Sequence, residues 1–197
     1  MEKNPAAIHK YVEYKINSLL GREESYIRAT LAKLRRGIGR QPGSMPDIWD
    51  FTLDNLPKEY ISQYDKPTAG EWAAHMSLTL FALHQQGNDI KQNRMSEAER
   101  SLGSAVRQLV NKRGVVSEDA IKRRFDTVVT SDSPEELAYH LRGLINLMKS
   151  EKIPLDYPQL AEELLKFQNP DRRDSVRLRW GQDYYFNKGK DEEKNEQ

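Results

Sequence analysis

An all-α fold, a helical bundle of about eight to nine helices in one large domain or two small lobes, is predicted by three observations. Apolar residues recur at three- and four-residue spacing through most of the 197 residues, and cap signals precede several of the apolar runs. Alternating β patterns are almost missing, and Val128 to Thr130 is the one β-flavoured patch. No fixed period of about 20 to 50 residues is visible, which favours a bundle over a solenoid.

Pro5 opens a first helix with Ile8, Val12, Ile16 and Leu19 on one stripe, and Gly21 stops it. A second helix near Glu23 to Arg36 carries Ile27, Leu31 and Leu34 on its apolar face, with Gly37 as a left-handed stop. The short apolar segment Pro46 to Leu53 is limited by Pro57. Thr68 to Glu71 has capping-box spacing and opens the most apolar helix, through Trp72, Met76, Leu80 and Leu83. A second box, Ser96 to Glu99, predicts the start of a helix with Leu102, Val106 and Leu109, ended by Gly114. Ser117 caps a helix with Ile121, Phe125 and Val128, and Ser133-Pro134-Glu135-Glu136 starts another with Leu137, Leu141, Leu144, Ile145 and Met148. Asp156 to Gln168 and Asp171 to about Trp180 complete the bundle. The expected lobes are 1–113 and 114–186, and the charged tail 187–197 has a disordered composition.

Composition excludes several classes of function. Cys is absent, so disulfides, thiolate metal sites and a Cys nucleophile are impossible, and a reducing compartment is favoured. The start, Met-Glu-Lys-Asn-Pro, lacks a signal-peptide core, and no run approaches the ~18 apolar residues that span a bilayer. A cytoplasmic protein without membrane association is expected. Charged residues make up 31% of the chain, but 31 Lys plus Arg offset 30 Asp plus Glu, for a net charge of +1. Charge distribution, not net charge, must therefore carry any argument for nucleic acid.

Enzyme signatures are missing. His9, His75, His84 and His140 form no His-Glu-x-x-His motif and have no Cys partner, so neither a metal site nor a cofactor is expected, and packed or capped roles suit them better. Gly37-x-Gly39 lacks the strand and the Lys-Ser/Thr ending of a phosphate loop, and Glu135/Glu136 and Glu162/Glu163 diverge by about 100° on a helix, which makes them poor candidates for a carboxylate dyad.

Four basic clusters are the positive feature: Arg28 to Arg40, Arg100 to Arg113, Lys122 to Arg124, and Arg172 to Arg179. The first two contain no acids, and Arg dominates all four, as bidentate phosphate contact requires. The competing reading is pairing within helices, for example Asp174 with Arg177 or Arg173. Without a recognition-helix pattern the clusters favour backbone contact over base readout. Tyr184, Tyr185 and Trp180 near the last cluster are candidates for stacking on bases.

Several segments together resemble the CasB family, the small subunit of the type I-E Cascade CRISPR surveillance complex. They are Ala32-Lys33-Leu34-Arg35-Arg36-Gly37, Phe81-Ala82-Leu83-His84-Gln85, Ser101 to Arg107, Lys122-Arg123-Arg124-Phe125, Leu141-Arg142-Gly143-Leu144 and Pro154-Leu155-Asp156-Tyr157. The resemblance implies a non-catalytic subunit present as two copies arranged head to tail. It further implies contacts with the Cascade backbone subunits and large subunit, and with guide RNA, target DNA and the displaced single-stranded DNA. Nucleic-acid contacts are expected at Arg35, Arg36, Lys122, Arg123, Arg124 and Arg142 inside the matching motifs. Arg40, Arg107, Lys112 and Arg113 are added as their neighbours. The alternative is a purely structural adaptor whose Arg clusters pair with acidic surfaces of neighbouring subunits.

Overall fold

The structure, a computed structural model, describes the backbone of residues 4–195 and the side chains of residues 4–186. Among the described residues the chain forms nine α-helices and no strand. They are α1 (Pro5–Asn17), α2 (Glu24–Arg36), α3 (Trp49–Thr52), α4 (Ala69–His84), α5 (Leu102–Arg113), α6 (Glu118–Val129), α7 (Pro134–Glu151), α8 (Tyr157–Phe167) and α9 (Pro170–Asn195). The all-α expectation holds. The expected tail 187–197 begins inside α9, but its side chains, and residues 196–197 altogether, lie outside the described residues.

Helix α4 forms the centre because its sequence is apolar on every face. Fifteen of its sixteen residues, from Gly70 to His84, are buried. Helices α1, α2, α7 and α8 pack around it, while α5 lies along α9 and α6 along α7. The capping box at its start is complete: Thr68 Oγ1 accepts from Glu71 N at 3.2 Å, and Glu71 Oε2 accepts from Thr68 N at 2.7 Å. Several polar atoms along α4 are answered internally, since a buried group without a partner costs about 1–3 kcal/mol, while His75 Nδ1, Ser77 Oγ and His84 Nε2 have no hydrogen-bond partner among the described residues. His75 Nε2 lies 2.8 Å from Gly37 O. The Tyr157 hydroxyl donates to Leu80 O at 3.3 Å and accepts from His84 Nδ1 at 3.0 Å.

Four local expectations need correction. Gly37 is not left-handed, with φ −79°; positive φ falls at Gly39 instead. Packing favours glycine at position 37, because a Cβ there would lie 2.9 Å from Ile48 Cδ1 and 3.1 Å from Thr79 Cγ2, and those side chains would have to shift. Ser96-x-x-Glu99 is not a capping box: Ser96 bridges to Leu155, and Ser101 caps α5 by accepting from Ser104 N at 3.3 Å. The chain around Ser96 is instead held by Leu155 N to Met95 O at 3.2 Å, a tertiary pairing that overrides the local spacing. Ser117 lies in the turn Val115–Ser117 and makes no side-chain cap to α6. The β-flavoured patch runs through the end of α6, Val128 and Val129, into its cap Thr130.

Gly103 sets the spacing of α5 and α9. A Cβ at this position would lie 2.1 Å from Trp180 O and 2.9 Å from Tyr184 N, so the two backbones are in contact. Gly103→Ala should therefore destabilise the fold by about 1–3 kcal/mol or more, because backbone atoms must move apart. Urea denaturation measures this, and an unchanged midpoint would contradict the close approach.

The buried histidines predict a pH response. Burial pushes His84 down from 6.5 to about 4, with the charge of Lys149 acting in the same direction and the Ile153 carbonyl opposing it. Burial also lowers His75. Both protonate less readily in the fold than once unfolded, so their contribution is complete above pH 6.5 and declines as pH falls below it, for His84 down to about 4. Between pH 6.5 and 5, stability should drop by at most about 2 kcal/mol per histidine, and His84→Gln should flatten the profile. A profile identical in the variant would place the effect elsewhere.

Candidate nucleic-acid interface

The acid-free character of the first two clusters is a property of the sequence and not of the fold. Arg36 pairs with Asp47, eleven residues away, and Arg28 with Glu24. Arg40 donates from Nε to Arg36 O at 3.1 Å, closing the turn after α2. Arg35 is half-buried, and burial lowers its pKa below the usual arginine value. Arg35 and Arg36 sit at the end of α2 and Arg40 just beyond it, and α2 packs on α4 and the turn Pro46–Ile48.

Arg107 is structural. Only 7% exposed, it donates from NH1 to Glu118 Oε1 at 2.9 Å and lies 5.8 Å from the centre of the Tyr184 ring. Lys112 Nζ donates to Glu151 O at 2.6 Å, and Arg113 donates to Glu151 Oε1 at 2.9 Å and to Ser150 Oγ at 2.8 Å. Both therefore tie the end of α5 to the end of α7. On α9, Arg177 pairs with Asp174 at 3.2 Å as the competing reading expects, while Arg173 pairs with Asp132 at 3.4 Å.

Helix α6 presents the freer cations. Lys122 pairs with Asp126 one turn on. Arg123 and Arg124 are exposed and donate only to backbone carbonyls, Asp119 O at 3.2 Å and Ala120 O at 3.3 Å. Arg142, exposed on α7, makes no hydrogen bond or ion pair among the described residues. Arg124 and Arg142 meet in a cleft of about 310 Å³ between α6 and α7, also lined by Thr127, Tyr139, His140, Gly143 and Asn146. No carboxylate lines it. Tyr139, Arg142, Gly143 and Asn146 share one face of α7 by the three- and four-residue spacing of a helix.

Of the candidates, the fold thus brings together Arg124 and Arg142, with Arg123 beside them on α6. It does not bring them together with Arg35, Arg36 and Arg40, whose helix α2 packs elsewhere.

The chain matches the family model described as CRISPR-associated protein Cse2 over residues 30–185. It belongs to the Cse2 family. A relative described as CRISPR-associated protein Cse2 from Thermus thermophilus is 25% identical over 170 residues, spanning 84% of each chain. The crystal structure of CasB from Thermobifida fusca is 29% identical, with a TM-score of 0.72 over 90% of this chain and 97% of that one. A chain in a structure described as a CRISPR RNA-guided surveillance complex shares the fold at 21% identity, with a TM-score of 0.69 over 90% of this chain and 93% of that one.

In this Cse2 family member the aromatic expectation shifts. Trp180 is fully buried, stacked on Phe167 and donating from Nε1 to Glu163 Oε2 at 2.6 Å, and Tyr184 stacks on Phe125 in the core. Tyr185 is exposed, but Tyr139, at 73% exposure, is the aromatic that stands beside the arginines. Its one sequence signal is a large aromatic on the polar face of an otherwise well-patterned helix. Gly143 is the second residue of this kind. Glycine inside a helix costs roughly 0.5–1 kcal/mol relative to Ala, and a Cβ there would meet nothing within 4 Å.

The structural and free arginines should separate by mutation. Arg107→Ala removes a buried guanidinium and its hydrogen bond to Glu118 and should cost about 1–3 kcal/mol. Arg142→Ala should change stability by less than about 0.5 kcal/mol. Thermal melts of the two variants decide, and equal shifts would refute the distinction.

Proposed function

We propose that this Cse2 family member is a non-catalytic small subunit of a type I-E CRISPR Cascade complex, where it stabilises the R-loop in antiviral defence. Its basic surface holds the backbone of the displaced strand and contributes to gripping guide RNA and target strand. The observation that carries this reading is the carboxylate-free cleft in which Arg124 and Arg142 converge in a member of this family. R-loop formation exchanges one duplex for another of similar stability, so a few contacts from protein to strand backbone tip the balance. Sequence recognition belongs to the guide; the arginines need only charge and reach. The partners in this reading are the Cascade backbone subunits, the large subunit and a second copy of the chain placed head to tail.

The test uses assembled complex carrying the Arg124→Ala/Arg142→Ala double variant. Assembly should be intact, and R-loops should form less completely. The slope of log K for the displaced strand against log salt should shrink by about 0.7 for each phosphate that is no longer neutralised. Loss of assembly with unchanged strand affinity in whatever complex forms would instead support the adaptor reading, in which these arginines pair with acidic surfaces of neighbouring subunits.

A further inference from the structure

The cleft between α6 and α7 has features that phosphate binding does not use. Arginines gripping a sugar-phosphate backbone need neither an aromatic ring beside them nor a glycine between them, and this cleft has both. Gly143 lies one turn of helix beyond Tyr139, between it and Asn146, so the face of α7 beside the ring is bare. No described residue comes within 4 Å of a Cβ placed at Gly143, and the Tyr139 hydroxyl, the Arg142 guanidinium and the Asn146 amide have no hydrogen-bond partners among the described residues. Across the cleft, Arg124 and Thr127 sit one turn apart on α6, the threonine hydroxyl donating to Arg124 O at 2.7 Å. The result is a flat floor, an aromatic wall, an unused amide and two cations at the rim.

We propose that this cleft is a nucleotide subsite that takes one unpaired base of a single strand. The base stacks on Tyr139 over the bare backbone at Gly143, while Arg124 and Arg142 hold the adjoining phosphates. Asn146 offers its amide to the edge of the base, which either purine or pyrimidine satisfies. The site therefore selects single strands over duplex without selecting sequence, because a base inside a duplex has no free face to stack. An acidic peptide would satisfy the arginines but would leave the ring and the glycine floor unused. This inference rests on the strand-binding reading above and adds to it a preference that phosphate contacts alone cannot give.

The full chain is tested against two single-stranded oligonucleotides of equal length, one of thymidines and one of abasic residues with the same phosphates. Wild-type protein should bind the thymidine strand at least about fivefold more tightly, the lower end of what one base stacked on an aromatic side chain contributes. Tyr139→Ala and Gly143→Leu, the second of which fills the floor at an exposed helical position, should both bring the two affinities together. Tyr139→Phe should keep the preference. Arg142→Ala should weaken both strands alike. Equal binding of the two strands by wild-type protein would overturn the base subsite while leaving backbone binding in place. Binding of neither strand would overturn both this inference and the strand-binding reading on which it rests. A preference that survives both Tyr139→Ala and Gly143→Leu would move the stacking site away from this cleft.

Discussion

Helix α4 has no solvent face, and the rest of the fold follows from that constraint. A helix apolar all round is stable only if other elements cover every side, so α1, α2, α7 and α8 are obliged to surround it. Its few polar groups are equally demanding, because water cannot reach them. His75 fixes the turn at Gly37 through a backbone carbonyl, and His84 fixes the start of α8 through Tyr157. The end of α2 and the beginning of α8 are thus held by side chains of one central helix, although they are far apart in sequence.

Most of the helices were legible in the sequence because their signals are local. The Thr68–Glu71 box, the Ser133-Pro134 start and the Asp156 cap all work within three or four residues, and all form in the structure. The misread start at Ser96 has a different cause. Ser96 and Glu99 have the right spacing, but Leu155 claims the backbone of that segment, a partner about sixty residues away that no local pattern reveals. Gly37 was legible as a stop but not for the right reason, since the crowding of Ile48 and Thr79, not φ, disfavours a side chain there.

The site was legible only in part, because pairing of charges is a tertiary property. Two clusters without local acids acquire Asp47, Glu118 and Glu151 from other elements. Arg107 passes in this way from a candidate contact to a buried strut. Conversely, Arg124 and Arg142 belong to separate sequence segments and become one feature because α6 lies along α7. Tyr139 is not legible as a site residue because an exposed aromatic on a helix has no signature of its own. Its meaning comes from its neighbours.

So many internal pairs in a chain of net charge +1 also bear on the timing of an encounter. Opposite charges a few ångströms apart cancel at distances beyond the Debye length of about 8 Å at physiological salt. The protein therefore projects little field into solution and does not draw a polyanion from afar, unlike proteins whose long-range potential accelerates capture. In the proposed strand-binding role its arginines would act only on a strand already delivered to the surface. On that proposal the surface would lengthen residence and leave arrival to the larger assembly, so its contribution would lie in the dissociation rate.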